Sequence, residues 1–145
     1  MIAALRGVAG VLIGLIVAFV LVVGLELFSD AVHPFPEGVE KTMEEMCRHV
    51  ENYPRWILAV AVAAWGVTAL VSTWVAKKIG NVYSALIVGL LLLAALVMNL
   101  SMLPYPIWFK GANLIAIPAA IAAGLQLSKR QKIAAKAEAA RDLEV

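Results

Sequence analysis

Glu26, Asp30 and His33 stand four and three residues apart, the spacing that stacks side chains on one face of a helix. Two carboxylates and an imidazole on one face can hold a cation, ligate a metal or move a proton. They close an apolar run long enough to cross a bilayer, and an ionisable side chain there is a functional hypothesis by default. Asn99 closes a second such run. At about 1.5 Å per residue, counted from Gly7 and from Val82, Glu26 and Asn99 reach the membrane boundary at the same depth. Trp65, in the middle of a third run, brings an indole N–H that needs a partner. Glu26, Asp30, His33, Asn99 and Trp65 are therefore the candidate ligand-binding residues.

His49 and Glu45, spaced four apart in the segment between the first two runs, could add groups from above, so a metal site would use Glu26, His33 and His49. Two histidines without a tight ligand motif are a weak metal signal. The structural alternative is that Glu26 caps a neighbouring helix N-terminus or bonds to Trp65, Asn99 or a tyrosine, and that His33 simply ends a helix before Pro34. A metal ion is the one cofactor these residues leave open, and no other is predicted. Met43, Met46, Cys47 and His49 are soft ligands fit for Cu(I), but they are also what an apolar helix face requires. No phosphate-binding loop or nucleophile triad is present, and Cys47 and His49 point apart on a helix. No catalytic residue is assigned, and an enzyme is the less favoured reading.

The elements that must position these groups follow from composition. Of 145 residues, 63% are hydrophobic and 15% charged, against about 45–50% and about 25% in soluble domains. Mean hydropathy is +0.90. Four stretches reach the roughly 20 apolar residues of a membrane span: about 2–28, 56–75, 82–102 and 107–127. Their runs are continuous, not alternating, so the fold class is an all-α integral membrane protein with a four-helix bundle over 1–127. The first run is longer than a signal-peptide core and reads as a retained helix.

In the 29–55 loop, Pro36-Glu37-Gly38 signals a turn. Val39, Met43, Met46, Cys47 and Val50 then recur at helical spacing, predicting an amphipathic helix over about Val39–Asn52 that shelters Cys47. Residues 128–145 read as a charged helical tail. Arg6, Lys77, Lys78 and five basic residues of the tail lie on one side of the spans. Lys41, Arg48, Arg55 and Lys110 lie on the other. The positive-inside rule then places both termini in the cytoplasm, the 29–55 loop outside, and the chain in an inner, cytoplasmic membrane. The bilayer is the first expected partner. A net charge of +2 and a tail of mixed sign speak for lipid headgroups, not nucleic acid.

Small residues mark expected helix contacts. Gly10 and Gly14 form a small-xxx-small pair, suited to a neighbour in the bundle or to a second copy of the chain. Ala112, Ala116, Ala120 and Gly124 form a longer series that predicts one close neighbour. Pro54 and Pro106 suit first turns of helices, and Trp56, Trp108 and Trp74 suit the headgroup belts.

Several of these features together resemble a class of small, uncharacterised four-helix bacterial membrane proteins. Glu26 precedes Pro34-Phe35-Pro36-Glu37-Gly38, Ala64-Trp65 sits mid-helix, and Asn99-Leu100 leads to Pro104-Tyr105-Pro106-Ile107-Trp108-Phe109. Pro118-Ala119-Ala120 follows in the last span. The resemblance implies the same fold and carries no activity. The leading expectation is a structural or accessory membrane subunit, either a homo-oligomer or part of a larger complex. The alternative is a protein that binds or transports a small molecule, lipid or metal ion at the outer membrane interface.

Overall fold

The computed structural model describes residues 2–142, with side chains through residue 127. Among the described residues the chain is helical, without strands. It forms α1 (Ile2–Val32), α2 (Met43–Glu51), α3 (Arg55–Ile79), α4 (Val82–Met102) and α5 (Ile107–Asp142). α1, α3, α4 and the Ile107–Leu127 part of α5 are long and apolar enough to cross a membrane.

Local chemistry sets the helix ends. α1 continues past the expected boundary at Phe28 because hydropathy does not limit a backbone ladder. Pro34 does, by disfavouring helical geometry at His33. The amide of His33 still donates to the Ser29 carbonyl at 2.8 Å, which closes the last turn. α2 is shorter than expected. Gly38 turns the chain with φ of +77°, and Thr42, in extended geometry, caps the helix by accepting from the Glu45 amide at 3.3 Å. Residues 39–41 are thereby left outside it. The Thr-x-x-Glu pattern of Thr42–Glu45 is a capping-box signature and marks this start in the sequence. Arg48 pairs with Glu45 at 3.2 Å and less closely with Glu44 at 3.9 Å, both at the surface.

α3 begins after Pro54 and ends at Gly80. Asn81 then caps α4, its Oδ1 accepting from the amides of Tyr83 and Ser84 at 2.9 and 3.1 Å. Ser84 completes the capping box and donates its hydroxyl to the Gly7 carbonyl of α1 at 2.9 Å. α5 opens after Pro106 and runs through Pro118, whose missing N–H deprives the Leu114 carbonyl of its helical donor.

α3 is the hub, packed against α1, α4 and α5. The small residues permit this. A Cβ on Gly10 would lie 2.7 Å from the Ala76 carbonyl oxygen and from the backbone of Gly80. One on Gly14 would meet Ala76 at 2.8 Å and Val88 at 3.0 Å. The Gly10/Gly14 pair thus faces α3 and α4 of the same chain. On the other side of α3, Gly124 is buried where a Cβ would strike Leu70 and Thr73. Ala112, Ala116 and Ala120 are half-buried beside the buried row Phe109, Asn113 and Ile117.

The buried face of α3 is unusually polar. Thr68, Ser72 and Thr73 are all buried, and each hydroxyl donates to a carbonyl one turn back, as Thr73 does to Ala69 at 2.6 Å. These bonds satisfy the hydroxyl protons inside the helix, so the polar row can be buried without a cross-helix partner. One turn further on, buried Lys77 donates to the Leu125 carbonyl of α5 and ties those two helices.

The outward surfaces are apolar. Leu5, Leu12, Ile16 and Phe19 on α1 are exposed, as are Leu90 and Leu91 on α4 and Ile115 on α5. In the most apolar window of α1 only 17% of residues are buried. That much uncovered hydrocarbon surface suits contact with lipid.

Candidate functional site

At the end of the bundle where α2 lies, side chains from all five helices line a half-open cavity of about 510 Å3. The continuation of α1 to Val32 places Glu26 and Asp30 on one flank, with His33 just beyond the helix. Asn99 enters from the last turn of α4, and Trp65 from a point halfway along α3. All five candidate ligand-binding residues border this one space. Glu26 and Asp30 are exposed, while His33, Asn99 and Trp65 are half-buried. Among the described residues Glu26 makes no hydrogen bond or ion pair, so the expected bond to Trp65, Asn99 or a tyrosine is not formed.

The centre of the site is a cluster of rings. His33 and His49 stack with centroids 4.6 Å apart and planes 21° from parallel. Tyr53 lies 4.9 Å from His33 and 5.2 Å from His49, the latter edge-on. Phe35 meets His49 at 5.0 Å. The Tyr53 and Ser29 hydroxyls share a hydrogen bond of 2.8 Å, which joins the start of α3 to α1. His33 Nε2 is buried with no hydrogen-bond partner. Deeper in, Leu58, Ala61 and Trp65 form an apolar wall, with Phe109 and Tyr105 beside it. The Tyr105 ring lies tilted against Phe109, with centroids 4.7 Å apart. Burial, and then the nearby Tyr53, push its hydroxyl up to about 12, so it remains a neutral donor.

Among the described residues no group of three or more His, Cys, Asp or Glu comes together as a metal site, and the trio Glu26, His33 and His49 is no exception. The reason is geometric. Imidazole lone pairs lie in the ring plane, and rings stacked face to face do not aim them at a common ion. The apolar stripe expected over residues 39–50 also divides. Val50 is buried and Cys47 half-buried, but Val39, Met43 and Met46 are exposed.

Tyr53, Phe35, Ser29, Lys41 and Tyr105 join the site without having been singled out for it. Tyr53, four residues after His49, and Ser29, three after Glu26, stand at helical spacing from residues already named.

α2 approaches no other helix at backbone level. Buried Val50 and the His49 ring hold it to the bundle. The His49 pKa is lowered, first by burial and then by His33, while Lys41 lowers it further and Asp30 and the His33 backbone pull it up. A base with a depressed folded pKa binds fewer protons folded than free, so its contribution is complete above the ordinary value of 6.5. It is lost as pH falls through the lowered folded value. Docking of α2 should therefore weaken on acidification below about pH 6.5. The check is the rate of Lys-specific proteolysis at Lys41, which should rise from pH 7.5 to 5.5 in wild type, after correction for the protease's own profile. It should change much less in His49→Gln.

Comparison with protein-family models, curated proteins and solved structures gave no match to this chain.

Proposed function

We propose that this protein is an integral membrane protein that binds a small amphipathic molecule in the cavity beneath α2. The observation that carries the proposal is the cavity's two-part lining. Ionisable and hydrogen-bonding side chains gather at its rim, and aliphatic and aromatic ones line the wall toward Trp65. Its volume falls within the roughly 300–1,000 Å3 of small-molecule sites. The Lys/Arg asymmetry of the loops supports an orientation with both termini in the cytoplasm. The rim then sits at the outer headgroup level, where an amphiphile already in the leaflet would enter with its polar end at the rim. α2 is its amphipathic roof.

The accessory-subunit reading rests on small-residue seams as surfaces for a partner, on the sheltered Cys47 and on the lack of a catalytic set. Gly10, Gly14 and Gly124 face helices of their own chain, so those seams do not call for a second protein.

Ala61→Trp tests the proposal by filling the wall beside Trp65. Wild type purified in lipid nanodiscs should carry a stoichiometric amphiphile by native mass spectrometry. The variant should lose it at least about tenfold while keeping its helical spectrum and melting behaviour. Equal retention of the same molecules by both proteins would sink the reading.

A further inference from the structure

The rim contains more acid and more rings than an apolar pocket needs. Glu26 and Asp30 bring two carboxylates from α1, against the single ammonium of Lys41. Leaving the imidazoles aside, the rim carries one net negative charge. The lowered pKa of His49 favours its neutral form near pH 7. Beside this charge, Tyr53 and Phe35 flank the stacked histidines. Aromatic faces carry negative potential and attract cations within about 6 Å of the centroid, most strongly when water is excluded. The cluster already receives one cation, since Lys41 Nζ lies 5.6 Å from the centre of the Phe35 ring. That ammonium belongs to the flexible side chain of an exposed residue and is tethered at the mouth of the cavity.

From this charge and ring geometry, and resting on the amphiphile reading above, we propose that the ligand is a cationic amphiphile. Its headgroup is an amine or quaternary ammonium held between the ring cluster and the two carboxylates, and its hydrocarbon part lies along Leu58, Ala61 and Trp65. An anionic headgroup would have to sit beside Glu26 and Asp30 with Lys41 as its one formal counter-charge. Lys41 is then a competitor for the headgroup position, not a ligand-binding residue.

Octyltrimethylammonium, octyl sulfate and octyl glucoside share a tail and differ in head charge. Each is titrated calorimetrically into the protein in zwitterionic nanodiscs, with empty nanodiscs subtracted. The cation should bind at least about tenfold tighter than either of the others. K41Q should tighten the cation severalfold, because it removes both a like charge and a resident competitor. The double variant E26Q/D30N should weaken it about tenfold and erase the preference over octyl glucoside. All three positions are exposed, so these changes leave the core untouched. Equal or tighter binding of the sulfate or glucoside overturns the cationic assignment and leaves the amphiphile reading standing, as does a weaker cation in K41Q. Failure of all three to bind overturns both.

Discussion

Gly10→Val is expected to lower the unfolding free energy of the bundle by about 3 kcal/mol, at the upper end of overpacking costs in a close-packed interior. The obstacle is backbone, not a flexible side chain. The first carbon added would lie 2.7 Å from the Ala76 oxygen and from the amide nitrogen and Cα of Gly80. Neither can step aside without moving the end of α3, so the helices must part. Parting also stretches the bond from Ser84 to the Gly7 carbonyl at the same crossing. Denaturant titration in mixed micelles reads the loss. Gly24→Val is the control, because a Cβ at Gly24 meets nothing within 4 Å on the same helix. If both variants lose equal stability, helix propensity and not close approach governs the result. A second readout separates the contact within the chain from a seam between chains: oligomeric state should be the same in wild type and Gly10→Val.

Gly124→Val is the companion on the opposite side of α3, with a similar expected loss of about 3 kcal/mol. Its Cβ would strike the Thr73 hydroxyl and lie 2.7 Å from the Leu70 carbonyl oxygen. Thr73 cannot simply rotate away, because its hydroxyl is committed to the Ala69 carbonyl in a buried setting. Gly111→Val on the same helix is open and should cost little beyond propensity. Since Lys77 joins α3 to α5 near this crossing, the Gly124 variant should also expose the Lys77 amine to acylating reagents that do not reach it in wild type. An unchanged melting curve with unchanged Lys77 labelling would rule out the tight α3–α5 contact.

How much was legible from sequence depended on whether a feature is local. The span of α4 could be read to the residue because Asn81 and Pro104 bracket it. α1 was cut short because the polar residues after Leu25 read as a boundary, whereas the helix stops only where Pro34 forbids the next turn. The register of Glu26, Asp30 and His33 needed nothing but helical spacing. The face-to-face contact of His33 with His49 was out of reach, since it depends on how the 34–42 connection folds back, and no periodicity encodes that path. For the same reason no local pattern places Phe35 and Tyr105 at the cavity they reach. The direction of Gly10 and Gly14 was also hidden, since a small-xxx-small pair looks the same whichever helix fills it.

Because α2 approaches no other helix at backbone level, it is expected to detach as a local step, apart from unfolding of the four long helices. Such a step acts as a tollgate in time. If the cavity admits its occupant only while α2 is lifted, the association rate is capped by the lifting frequency, however high the ligand concentration. The residence time is set by the closed lifetime, however weak the individual contacts. A modest equilibrium affinity and a long dwell can then belong to the same site, and substitutions at His49 would shorten the dwell without altering any group that grips the ligand's tail.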